Sequence, residues 1–129
     1  VSEAISEIVG KTIESVSRTG EEFSEEVRFE TQCGRRFVIR HNQDCCEEVR
    51  IQSVEGDLQS LVGKRTNRAS SEFDNELPEG IEKGDLESYT RSIFCINDVV
   101  ITFFGFSNGY YDESATMQEI DVISGLART

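Results

Sequence analysis

Residues 88–106, SYTRSIFCINDVVITFFGF, constrain the fold more than any other stretch of the chain. Apolar side chains recur at alternate positions on either side of Asn97-Asp98, and a two-residue link of that kind suits a tight hairpin turn. A period of two sends one face of each strand into a core and the other toward solvent. The segment therefore predicts two antiparallel strands at the centre of a sheet. The same alternation, in shorter form, runs through EEVRFETQ (residues 25–32) and RRFVIRH (35–41), with Gln32-Cys33-Gly34 as the turn between them. TIESVSR (12–18), residues 47–53, an irregular stretch near 65–73 and MQEIDVI (117–123) supply further strands.

Two short stretches have helical spacing instead. Ser2 can cap a turn in which Ile5, Ile8 and Val9 share a face and Gly10 is the left-handed stop. DLQSLVGK (57–64) repeats that grammar, with Asp57 as cap, Leu58, Leu61 and Val62 as the apolar face, and Gly63 as stop. SEIVGK (6–11) thus aligns with QSLVGK (59–64), which is either a short internal repeat or one helix-to-strand junction reached twice. The expected class is α+β in a single domain spanning 1–129: a mostly antiparallel, twisted sheet or half-barrel with two short helices plugging its ends.

Charge narrows the partners. With 25 acidic and 13 basic residues the net charge is -12, which repels duplex nucleic acid unless the arginines cluster. No apolar run reaches the length of a bilayer span, and VSEAISEIVG carries acids where a secretory leader carries positive charge. The expectation is a soluble, cytoplasmic protein without a membrane partner, whose four cysteines (33, 45, 46 and 95) are reduced.

HNQDCCEEVRIQ (41–52) contains the sole histidine and two adjacent cysteines. His41, Cys45 and Cys46 with Cys33 or Cys95 are chemically suitable zinc ligands, but zinc sites separate paired cysteines by two to four residues, and adjacent side chains on an extended segment point apart. The same adjacency is wrong for a redox pair, and a Cys–His dyad lacks a second histidine for proton relay. Neither VGKT nor VGKR has the spacing of a phosphate-binding loop. The reading is therefore structural, with no metal, no cofactor and no catalytic residue. His41, Asn42, Gln43 and Asp44 cap backbone groups at a strand exit, and one of Cys45 and Cys46 packs inward. SNGYYDES (107–114) is the better functional candidate: Asn108 offers an amide, Gly109 close backbone approach, and Tyr110 and Tyr111 stacking faces with hydroxyls, groups that suit a planar heterocycle. Its alternative is a turn with one tyrosine folded onto the core.

Taken together, HNQDCCEEVRIQSVEGDLQSLVGK, ESYTRSIFCI and FGFSNGYYDES resemble a family of small phage-encoded proteins with His-x-Gln-Asp-Cys-Cys-Glu, Gly-Asp-Leu-x-x-Leu-x-Gly and Ser-Asn-Gly-Tyr-Tyr motifs in that order. The resemblance covers most of the chain from about Val27 and extends to the phage anti-Thoeris sponge proteins. It implies a non-enzymatic protein that sequesters a cyclic ADP-ribose-type signal or a cyclic oligonucleotide, as a homodimer or higher homo-oligomer, in the host cytoplasm. The resemblance assigns no individual contacts; on their chemistry Arg91, Phe94, Asn108, Gly109 and Tyr110 are the expected ligand-binding residues, by stacking on a base and by gripping ribose and phosphate. KRTNRASSEF (64–73) departs from the more apolar strand the resemblance calls for. The rival expectations are an acidic inhibitor of a basic host protein and a structural virion component.

Overall fold

The computed structural model describes residues 3–20, 25–41, 47–77, 80–82, 84, 88–107 and 114–120. Within them the chain forms α1 (Glu3–Glu7), β1 (Ile13–Thr19), β2 (Glu26–Thr31), β3 (Arg36–Arg40), β4 (Glu47–Glu55), a 3₁₀ turn (Leu58–Leu61), β5 (Ala69–Asp74), β6 (Ser88–Ile96), β7 (Val99–Ser107) and β8 (Thr116–Ile120). The strands make two four-stranded antiparallel sheets, β1-β2-β3-β8 and β5-β6-β7-β4. Both expected hairpins are present: Ile96 faces Val99 across Asn97-Asp98, and Thr31 N–H donates to Arg35 across the Gln32–Gly34 turn.

The class is corrected by these elements. The fold is mainly β, two sheets and no closed barrel, and neither expected helix forms at full length. α1 has five residues, and the second is a single 3₁₀ turn capped by Asp57, whose carboxylate accepts from Gln59 N–H at 3.0 Å. Left-handed glycines, Gly10 (φ 89) and Gly63 (φ 82), end both segments before an α-helix can repay its nucleation. Only part of each apolar face goes inside: Ile5, Ile8 and Leu61 are buried, whereas Val9 and Val62 are 40% and 39% exposed.

One apolar cluster draws on both sheets, with Phe29, Phe37 and Ile39 from the first and Phe94, Ile101 and Phe103 from the second. Phe94 meets Phe103 edge-on at 5.9 Å between centroids. Arg35 ties the first sheet to α1, with a two-pronged pair to Glu119 (2.8 and 2.6 Å), a further contact to Glu7 (3.1 Å) and its guanidinium over Phe37.

SEIVGK and QSLVGK meet in space as counterparts. Gly10 N–H donates to Thr66 O (2.8 Å) as Gly63 N–H donates to Ile13 O (2.7 Å). Thr66 N–H donates to Lys11 O (2.8 Å) as Ile13 N–H donates to Lys64 O (3.0 Å), around the Thr12–Arg65 bridge. The relation extends outward. Each half runs helical turn, three-strand meander, then a fourth strand that crosses to the other sheet, so β4 pairs with β7 and β8 with β3. Phe29 and Phe94 are matched positions on the second strand of each meander, and Ile51 and Met117 on the exchanged strands. The repeat therefore reflects an internal pseudo-twofold arrangement.

Candidate functional site

Pseudo-symmetric halves expose where the molecule departs from its own pattern, and one departure lies along the seams between sheets. On one side, Glu25 bridges β1 and β4: it accepts from Ile51 N–H at 2.6 Å and pairs with Arg18 at 3.1 Å. On the matching side, between β5–β6 and β8, there is instead a cleft of about 350 Å³. Phe94 and Met117 line it with the hydroxyl residues Ser71, Ser92, Ser114 and Thr116, and Glu72 and Phe73 stand at β5.

Strand register explains how Phe73 comes to be there. β5 pairs β6 so that Ala69, Ser71 and Phe73 lie opposite Ile96, Phe94 and Ser92, all three of which are buried. Directly opposed residues share a face, so Phe73 points to the core side of the sheet. Nevertheless it is 75% exposed, the most exposed large apolar side chain among the described residues. The floor is settled: Ser92 Oγ accepts from Ala115 N–H at 3.3 Å, and Phe94 is 2% exposed. The cleft thus has a fixed base, a ring of hydroxyl groups and one aromatic face open to a ligand. Sequence reasoning missed Phe73. Its only signal was a lone aromatic in the polar strand ASSEFD, in phase with the inward positions.

Of the expected ligand contacts, Arg91 and Phe94 are described, and β6 sends them to opposite faces. Phe94 faces the cleft floor. Arg91 lies on the outer face opposite Asp74 and Phe104, its Nε and Nη2 on Asp74 (3.0 and 2.7 Å) and Nη2 also on Glu76 (3.0 Å). A phosphate at Arg91 would have to displace a carboxylate. Asn108, Gly109, Tyr110 and Tyr111 lie outside the described residues, but Ser114, which follows their segment directly, is part of the cleft wall.

The Arg91 hydrogen bond, with Arg91's charge adding to it, holds the Asp74 carboxyl below its ordinary range. Because the folded pKa lies below the unfolded one, the pair's contribution is present above the unfolded value, roughly 4, and is lost as pH falls through the folded value. Asp74→Asn is expected to remove that part of the acid limb while changing neutral-pH stability by about 0.5 kcal/mol, the pair being partly solvated. Urea melts of both proteins between about pH 2.5 and 7 check this.

His41 follows β3, and its Nδ1 donates to Ser114 O at 2.7 Å, so this nitrogen carries the proton. Cys33 sits at the other end of β3, some 20 Å away at about 3.3 Å per residue, and Cys95 belongs to the second sheet. Neither can share a tetrahedron with His41. No group of three or more His, Cys, Asp or Glu side chains suited to a metal occurs among the described residues. Gln43, Asp44, Cys45 and Cys46 lie outside them. The flanks of their segment nonetheless meet the flanks of SNGYYDES twice, through His41 with Ser114 and through Glu47 paired with Ser107. These are the two strand-exchange connections of the pseudo-twofold pattern.

Residues 6–117, with both crossing connections among them, match the family described as Domain of unknown function (DUF7448). The chain belongs to the DUF7448 family. No curated protein and no solved structure matches this DUF7448 chain. No helix among its described residues is long and apolar enough to cross a membrane.

Proposed function

We propose that this DUF7448 protein is a phage-encoded, non-enzymatic binding protein that sequesters a cyclic nucleotide immune signal, of the cyclic ADP-ribose type or a cyclic oligonucleotide. The observation that carries the reading is the open seam. Where Glu25 bridges the matching seam, this one has an exposed inward-facing aromatic, Phe73, over a hydroxyl-lined base. Its volume of about 350 Å³ falls in the range of small-molecule sites. A base can stack on Phe73 and leave its ribose hydroxyls to Ser71, Ser92 and Thr116. No lysine or arginine is among the described residues lining the cleft, so it grips the nucleoside and leaves the phosphates outward. Asn108, Gly109 and Tyr110, in the segment that runs into Ser114, complete the site on this reading. Sequestration requires affinity alone, which a preformed floor and an open aromatic face favour.

Calorimetry with cyclic ADP-ribose isomers and cyclic dinucleotides tests it. Saturable binding is expected, with unchanged ligand recovered after heat denaturation, and Phe73→Ala is expected to weaken it about tenfold, the usual size of one lost stacking contact. Absence of heat with every nucleotide overturns the reading. Capture of a basic host protein that vanishes at high salt, without nucleotide binding, replaces it with the acidic-inhibitor alternative.

A further inference from the structure

The pseudo-twofold relation also isolates a second departure, at the opposite end of β5 and independent of the Phe73 cleft. A groove of about 500 Å³ lies between the 3₁₀ turn, residues 64–68 and the Asn97-Asp98 hairpin turn. Three of the chain's 13 basic residues, Lys64, Arg65 and Arg68, line it, against one acid, Asp98. The fold itself does not call for these cations. Lys64 has a basic counterpart in Lys11, but Thr12 stands opposite Arg65 at the bridge, and Thr12 O is also what accepts from Gln32 N–H where Arg68 O accepts from Asn97 N–H, so neither arginine has a basic counterpart.

The backbone carrying them is fixed from both sides. Thr66 is fully buried and its N–H is bound to Lys11 O, while Asn97 gathers the rest of the segment. Asn97 Oδ1 accepts from Asn67 and Arg68 N–H (2.8 and 3.3 Å), and its Nδ2 donates to Arg65 O (3.0 Å). An irregular stretch so constrained holds its side chains in a preset array, which lowers the ordering entropy a ligand must overcome. The pair between Arg68 and Asp98 (2.9 Å) has side chains 74% and 94% exposed and contributes little, so Arg68 can turn to an incoming anion.

We infer that this groove is a phosphate site: Lys64, Arg65 and Arg68, preset by Asn97, bind the phosphate or pyrophosphate group of a small molecule. Guanidinium groups suit two-pronged hydrogen bonding to phosphate oxygens. The molecule's net charge of -12 repels a long polyanion but only weakly opposes a compact one seated within a local positive field.

Titration of the full chain with inorganic pyrophosphate at low ionic strength, followed by calorimetry and amide NMR shifts, tests the assignment. Saturable binding is expected, with shifts centred on residues 64–68 and 97–98. Arg65→Gln and Arg68→Gln are each expected to weaken it about fivefold, and the triple variant with Lys64→Gln to abolish it, with unchanged melting because all three side chains are exposed. ADP binding as tightly as pyrophosphate assigns the groove to the phosphate group alone, and tighter ADP binding assigns it to a nucleotide's phosphates. Absence of saturable binding, or binding that survives the triple variant, overturns the inference. Phe73→Ala is expected to leave pyrophosphate binding intact, so failure here is separable from failure of the nucleotide-sequestering reading.

Discussion

Phe94→Ala is expected to destabilise the protein by about 3–5 kcal/mol, while Phe73→Ala, two register steps away on the neighbouring strand, shifts stability by less than about 0.5 kcal/mol. Phe94 is 2% exposed, stacks edge-on against Phe103, and lies where the two sheets face each other. Truncation there removes a full aromatic contact and leaves a void that strands on both sides, held by ladder hydrogen bonds, cannot close. Phe73 is 75% exposed and gives up almost no burial when shortened. Urea denaturation of the two variants, with the nucleotide titration repeated on Phe73→Ala, separates the roles: Phe73→Ala is expected to melt like the parent and bind about tenfold more weakly, whereas Phe94→Ala shows its effect first as lost stability. Equal destabilisation by the two substitutions would mean that Phe73 is packed, and the open seam would then not exist.

The contrast between these phenylalanines shows how far period-two patterning reaches. Alternation in SYTRSIFCI and VVITFFGF predicts two strands at the centre of a sheet, and they form the inner strands β6 and β7, with Ile96, Phe94, Ile101 and Phe103 buried. The pattern also put Arg91 and Phe94 on opposite faces, because they are three residues apart on a strand, a consequence that their grouping as joint ligand contacts overlooked. Phe73 was not legible because inwardness and burial are separate properties. Its strand reads as polar, ASSEFD, and nothing local says that β8 leaves the end of the inner face uncovered; that depends on a pairing between distant segments.

The helical stretches failed for a related reason. Ile5, Ile8 and Val9, like Leu58, Leu61 and Val62, satisfy a helical stripe, but the glycines at 10 and 63 cut both segments after little more than a turn. With so few residues the stripe cannot all be buried, and Val9 and Val62 are left outside. What survives is the junction rather than the helix. The short SEIVGK/QSLVGK match, ambiguous in one dimension, becomes informative because hydrogen bonds are directional: four reciprocal donor–acceptor pairs around Thr12 and Arg65 relate the segments by a rotation that a coincidental sequence match would not produce. That relation supplies an internal reference, against which both the unfilled seam and the added cations stand out.

Asn97 should then matter more than its place in a surface turn suggests. Its φ of 52 is the single positive value outside glycine among the described residues, so Asn97→Ala is expected to lose the backbone preference, about 1 kcal/mol. The same substitution removes three side-chain hydrogen bonds, to Asn67, Arg68 and Arg65, worth roughly 0.5–1 kcal/mol each at a half-buried site. The total is about 3 kcal/mol. Asn97→Gly restores the left-handed conformation but leaves the 65–68 segment without its anchor, so it should lie near 2 kcal/mol, and the gap between the two variants measures the backbone part alone. The Gly variant also releases the backbone that presents Arg65 and Arg68 without touching either charge. Its pyrophosphate affinity is therefore expected to fall by several-fold with its net charge unchanged, which calorimetry at matched ionic strength reads directly. Wild-type affinity in that variant would show that charge alone holds the anion and that the array needs no presetting.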